Sequence, residues 1–164
     1  MNESMIDKLQ IRFAVKDDVP LILNLIRELA EYEQLLGSVA ATEDILREWL
    51  FEKKKAEVII GEWDGEPVAY ALFFHNFSTF LGRSGLYLED IYVRPEMRGK
   101  GIGRRMLKFI AELALERNCG HLEWACLDWN ASSISFYLAL GAEALSDWTT
   151  YRLSGDLLIK LAKG

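Results

Sequence analysis

Two adjacent carboxylates, Glu89 and Asp90, stand inside the apolar run Leu86-Tyr-Leu-Glu-Asp-Ile-Tyr-Val93. Acids in such a setting need either a partner or a function, because burying a lone charge is costly. In a strand, neighbours point to opposite faces, so only one of the two can face a given cleft directly. The other reading has one acid ion-paired and one exposed. Shortly after comes Arg98-Gly-Lys-Gly-Ile-Gly103, with Arg94, Arg104 and Arg105 close by. Glycines at a helix start let an anion approach unpaired backbone N–H groups, and the helix dipole favours negative charge there. The formal net charge is −6, so this basic cluster is not background. The pattern reads as a pyrophosphate site, against the alternative of an ordinary turn among solvated charges. Further groups are Glu31-Tyr-Glu33, and Asn130 with Ser133 and Tyr137. Taken alone, the first suits a solvated helix end and Tyr137 suits helix packing.

The glycine turn excludes two common phosphate motifs. A P-loop needs Lys-Ser/Thr after its last glycine, and Gly103 is followed by Arg104. The dinucleotide fingerprint would need glycine where Arg104 or Met106 stands.

The elements that must position these residues follow from periodicity. Leu9 to Val15 alternates as a strand. Asp17 and Asp18 offer a cap and Pro20 a first turn for a helix carrying Ile22, Leu25, Ile26 and Leu29 and ending near Leu35 to Gly37. Thr42 caps a second helix with Ile45, Leu46, Trp49 and Leu50. Glu57 to Trp63 and Pro67 to Phe77 read as strands joined by an Asp64-Gly65 hairpin, with a loop over Ser78 to Gly85. The central strand ends at Pro95, which has no N–H for a ladder. A long helix follows to about Asn118, its face made of Ile102, Met106, Phe109, Ile110 and Leu113. Gly120 to Leu127 is a further strand. A helix capped by Asn130 or Ser132 ends at Gly141, Thr149 to Leu153 is a strand, and Asp156 to Ala162 is strand or helix. The expected class is α/β with a mixed sheet, in the order β-α-α-β-β-β-α-β-α-β, helices covering both faces.

Length and composition bound the function. The 164 residues suit one domain over 1–164, and 51% hydrophobic with 27% charged residues is a globular balance. No apolar run is long enough to span a membrane, and Met1 to Arg12 lacks a signal-peptide core. Cys119, Cys126, His75 and His121 fit no metal spacing. The expectations are a reducing cytoplasm, no disulfide, no metal, no nucleic acid and no membrane partner.

Arg98-x-x-Gly-x-Gly103 resembles the acetyl-CoA signature of the GCN5-related N-acetyltransferases, Gln/Arg-x-x-Gly-x-Gly/Ala. Asn130 with Tyr137, Gly141 and Ala142 resembles the same family's second motif. Leu29-Ala-Glu-Tyr-Glu33, Tyr87-Leu-Glu-Asp-Ile-Tyr-Val93 and Leu127-Asp-Trp-Asn130 are similar to the spermidine/spermine acetyltransferase-like branch, which includes the thialysine N-ε-acetyltransferases. The resemblance implies that fold, acetyl-CoA as acyl donor, and direct transfer to a small primary amine: thialysine, a lysine-like amine or a polyamine. It implies a cofactor site at Ile91, Tyr92, Val93, Arg98, Gly99, Lys100, Gly101, Ile102, Gly103, Arg104, Asn130, Ser133 and Tyr137. Glu89 becomes the water-mediated general base and Tyr137 the general acid. Tyr32, Glu33, Glu89 and Asp90 become the amine-holding set. A homodimer is implied too. Ser78 and Phe80 stand where the polyamine enzymes carry Asp and Trp, which favours the thialysine side. Two other readings remain: a non-catalytic acetyl-CoA sensor, and a protein or peptide acetyltransferase. A ping-pong route through Cys126 ranks below direct transfer.

Overall fold

The computed structural model describes residues 8–164, so the expectation of a polar leader-free start lies, up to residue 7, outside the described residues. The chain forms two compact units, one ending at Ala125 and one beginning at Cys126.

The first unit is a five-stranded sheet in the order β1 (Leu9–Phe13), β2 (Glu57–Trp63), β3 (Glu66–Ser78), β4 (Arg83–Val93) and β5 (Leu122–Trp124). All neighbours are antiparallel except the β4/β5 pair. The β2/β3 hairpin turns at Asp64 (φ 52°) and Gly65 (φ 85°), the left-handed pair that matches strand twist in a two-residue loop. Helix α1 (Val19–Tyr32) starts with Pro20, whose missing N–H would have been unpaired anyway. Asp18 does not cap it in the expected way. Its carboxylate accepts from Val15 N–H (2.7 Å) and from Arg12 (2.7 and 3.0 Å), bracing a short 3-10 turn, Lys16–Asp18. Thr42 does cap α2 (Glu43–Leu46), accepting from Ile45 N–H at 3.3 Å; α2 runs on through a wider turn over Arg47–Glu52.

Each face of the sheet has its own helical cover. Ile22, Leu25 and Leu29 of α1 pack with Leu46 and Leu50 on Ile60, Tyr70 and Tyr92. Helix α3 (Ile102–Glu116) lies on the other face. A Cβ on Gly61 would come within 3.1 Å of Met106 Sδ, so that strand position is kept bare for the helix. The face α3 buries comprises Ile102, Met106, Leu107, Ile110 and Ala114; Phe109 and Leu113 are only half-buried. Phe109 sits at the margin, edge-on to Phe13 at 5.9 Å.

Strand β5 is shorter than the expected Gly120 to Leu127. It pairs with β4 only at Leu86, Leu88 and the Tyr87 between them. The cause is on β4. Asp90 opposes Leu72 and Leu88 opposes Phe73, so Glu89 is an extra residue with no partner on β3. Such a bulge bends its strand and interrupts the ladder.

The second unit carries α4 (Ala131–Ala139) and α5 (Gly155–Lys163). Asn130 is the cap of α4, accepting from Ser133 N–H at 3.2 Å, and Gly141 takes the left-handed φ of 88° just past its end. The expected strand over 149–153 is not formed; no strand pairs with it among the described residues, and strand-prone residues without a ladder partner gain little. The ambiguous terminal piece is helical. Cys126 therefore lies outside β5, half-buried, its thiol 3.7 Å from the Leu127 carbonyl.

Candidate active site

The bulge sets the geometry of the central strand. Before it, Leu86 N–H donates to the carbonyl of His121, the residue just before β5 (3.1 Å). After it, Arg94 N–H donates to the Val68 carbonyl (3.0 Å), toward β3. Amides alternate along a strand, so those of Ile91 and Val93 point to the opposite edge, past the point where β5 pairing has stopped. A row of backbone groups is thus offered along Glu89–Val93, and Glu89 is exposed at its start.

The row leads into the glycine turn. Gly99 (φ 77°) and Gly101 (φ 78°) both take left-handed conformations that a side chain would strain, and Gly101 is the cap of α3. Arg105 N–H is already paired to the Gly101 carbonyl (3.1 Å), which leaves the earlier first-turn amides of Ile102, Gly103 and Arg104 to other acceptors. Gly103 differs: its φ is not left-handed, and a Cβ there would meet Val93 Cγ2 at an ordinary 3.8 Å.

Most of the basic side chains around this turn are engaged inside the protein. Arg94 forms a two-point pair with Glu28 (2.9 and 3.1 Å) and donates to the Pro67 carbonyl (2.9 Å). Arg98 donates to the Val93 carbonyl (3.0 Å) and lies over the Tyr32 ring, 4.4 Å from its centroid. Arg105 donates to the Leu9 carbonyl (3.2 Å), and Lys100 lies 5.3 Å from the Trp63 ring centroid. Arg104 is exposed on the first turn of α3. The positive field there therefore comes mainly from backbone amides, Lys100 and Arg104.

On the α1 face, Asp90 and Glu33 come together. Asp90 accepts from the Tyr70 hydroxyl at 2.8 Å. Burial raises the Asp90 pKa, opposed by the Tyr70 hydrogen bond and reinforced by the charge of Glu89. Glu33, at the end of α1, is also raised, by burial first and by Asp90 second. Tyr70 is fully buried and its pKa is pushed up by burial and by Asp90, so its hydroxyl stays a donor. No cation lies against either acid among the described residues. This arrangement would attract an ammonium group.

Asn130, Ser133 and Tyr137 belong to the second unit. Asn130 is buried, and its side chain caps the helix that carries Tyr137; the Tyr137 ring lies 5.5 Å from Phe136. Tyr70 and Glu28 went unnoticed in the sequence. Tyr70 sits in a strand as one aromatic among several, and its partnership with Asp90 depends on strand register. No His, Cys, Asp and Glu group suited to a metal occurs among the described residues, and no described helix is long and apolar enough to cross a membrane.

Comparison with known proteins gives consistent matches. The sequence pattern described as the acetyltransferase (GNAT) family matches residues 22–142. The chain is 42% identical to the thialysine N-epsilon-acetyltransferase of Bos taurus, over 93% of this chain and 96% of that one. It is 30% identical to the L-ornithine N5-acetyltransferase NATA1 of Arabidopsis thaliana, over 94% and 88%. Among solved structures, the integron cassette protein VCH_CASS6 from V. cholerae aligns with a TM-score of 0.81 and 28% identity, covering 96% of this chain and 99% of that chain.

Proposed function

The chain belongs to the acetyltransferase (GNAT) family, and from that premise we propose that this N-acetyltransferase moves the acetyl group of acetyl-CoA directly to the side-chain amine of a small amino acid, with thialysine and ornithine as the model acceptors. The observation that carries the acceptor class is the acid pair Glu33 and Asp90, which burial destabilises and no cation offsets among the described residues. The names of the relatives above support the same class.

The residues fit an acyl-CoA donor. Left-handed Gly99 and Gly101 open the backbone before α3, whose free first-turn amides suit a pyrophosphate. The open edge at Ile91 and Val93 suits an extended amide-bearing arm, which would add as a strand adds to a sheet. In this reading Arg98 holds the turn to the end of β4, and Lys100 and Arg104 supply charge.

An ammonium cannot attack a thioester until it loses a proton, and its ordinary pKa lies near ~10. Glu89 accepts that proton through water while Asp90 and Glu33 hold the acceptor. As the amine nitrogen bonds to the acetyl carbon, the carbonyl oxygen gains charge, and a bulge-edge N–H such as that of Ile91 donates to it. The C–S bond then breaks, Tyr137 gives its proton to the departing thiolate, and the remaining extra proton on the nitrogen returns through water to the tyrosinate, leaving a neutral amide. Asn130 keeps the helix of Tyr137 capped by accepting from the Ser133 N–H, and Ser133 offers its hydroxyl to the cofactor. We further propose that residues 1–164 act as one catalytic domain, as a homodimer in the cytoplasm.

Thiol release from acetyl-CoA with thialysine, ornithine, lysine, spermidine and a lysine peptide tests the reading. Turnover led by the amino acids is expected. Turnover led by the peptide, or none with any amine alongside tight acetyl-CoA binding, contradicts it.

A further inference from the structure

One side-chain cluster on the same sheet has no part in the mechanism above. Asn76 on β3 donates its amide N–H to Glu123 Oε2 (2.7 Å), and its Oδ1 lies 2.9 Å from His121 Nε2. A carboxylate only accepts, so the Asn76 amino group must face Glu123. Its carbonyl must then face His121, whose Nε2 carries the proton. The imidazole is left with Nδ1 for another partner. The sequence makes room for this ring: a Cβ at Gly85 would lie 2.1 to 2.4 Å from three atoms of His121. Glycine weakens a strand interior and often marks a site of close approach. Its place in the central strand therefore goes with the imidazole lying over it.

The cluster lies on the acceptor's side of the sheet. Paired residues share a face, and faces repeat every second residue. Leu72 pairs with Asp90, Phe74 with Tyr87, and Asn76 with Gly85, so these three rows follow one another on the face that carries Asp90. Tyr87 also pairs with Glu123. Between the acids and the cluster lie the Phe74 and Tyr87 rings, 5.3 Å apart and half-buried, a floor suited to an alkyl chain. Rows two residues apart are separated by about 7 Å. From the Asp90 row to the Asn76 row is thus about 14 Å. An extended chain of six bonds covers about 7 Å, and a hydrogen bond at each end adds about 3 Å.

We infer that Asn76, His121 and Glu123 recognise the α-amino and α-carboxylate groups of an acceptor amino acid whose side-chain amine reacts at the bulge. Glu123 takes the α-ammonium. His121, held through Nε2 by Asn76, takes up a proton at Nδ1 and donates to the α-carboxylate. A diamine would place a second ammonium against that imidazolium and leave the donor unpaired. This deepens the acceptor reading above and rests on it.

The test compares amino acids with their decarboxylated counterparts, lysine with cadaverine and ornithine with putrescine, in the native protein and in His121→Gln and Glu123→Gln. The readout is the kcat/KM ratio of each pair. The native protein should favour the amino acid by at least about tenfold, since a site built for a polar group rejects the analogue lacking it. Each variant should lose most of that ratio through the KM of the amino acid. A third variant, Gly85→Ala, should lose it as well by displacing the ring. Preference for the diamine in the native protein, or a ratio unchanged in both His121→Gln and Glu123→Gln, overturns this inference while amine acetylation stands. No turnover of any amine overturns both.

Discussion

Around the glycine turn most of the charged side chains are satisfied within the protein; around the bulge they are not. Arg94 is held by Glu28 and Pro67, and Arg98 by the Val93 carbonyl and the Tyr32 ring. Glu33 and Asp90 are half-buried, which disfavours their charged forms, and Asp90 adds to the cost of Glu33; a neutral hydroxyl is the hydrogen-bond partner of Asp90. The first group holds its surroundings in place. The second awaits a positive charge. Charge counted along the sequence cannot separate the two, because five basic residues near a phosphate turn look alike until their partners are known.

The comparison can be broken from either side. Glu89 stands unpaired at the bulge, so Glu89→Gln should cut turnover by about 10²- to 10⁴-fold, the usual worth of a general base, while acetyl-CoA affinity measured by calorimetry stays put. Equal turnover would remove Glu89 from the chemistry. Asp90→Asn should raise the KM of the amine by about 10- to 100-fold, the scale of a lost charge-assisted hydrogen bond.

The same variant has a pH signature. A carboxylate raised in the folded state keeps its proton longer there than in the unfolded chain. Folding stability therefore falls as pH climbs from the ordinary carboxylate range through the raised value. Melting curves of Asp90→Asn should show a smaller fall over that window than the native protein. An unaltered curve would mean that Asp90 is not the group responsible.

Arg94→Gln should cost about 1–3 kcal/mol of stability, because Glu28 and the Pro67 carbonyl lose their donor. Acetyl-CoA affinity should not follow. If affinity falls and stability holds, the partnered side of the comparison fails. The smallest effects separate the glycines. Gly101→Ala forces a side chain into a left-handed conformation at about 1–2 kcal/mol, whereas Gly103→Ala meets only ordinary contact with Val93 and should melt like the native protein.

The sequence carried the strand, glycine turn and helix because each is a local pattern, and it carried the Asp64-Gly65 hairpin and the Thr42 cap for the same reason. It also paired Glu89 with Asp90 as a site worth attention. It could not show that Glu89 is a bulge, since a bulge exists only relative to the register of a neighbouring strand. The end of β5 at Trp124 follows from that bulge and was hidden with it. Tyr70, twenty residues from Asp90, became a partner through the same register. No strand forms over 149–153, because strand-prone residues do not by themselves supply a ladder partner. For His121, a clue was available in Gly85, a glycine beside an apolar strand run.

The most direct test of the acid pair is proton exchange when the amine binds. Ornithine can be titrated into the CoA-bound protein by calorimetry, at a pH just above the ordinary carboxylate range, in buffers of different ionisation enthalpy. An ammonium placed beside Asp90 and Glu33 would favour their charged forms, so binding should release protons to the buffer, and Asp90→Asn should abolish most of that release. Binding with no net proton exchange, or with release undiminished in Asp90→Asn, would contradict the claim that these acids stand ready for the amine.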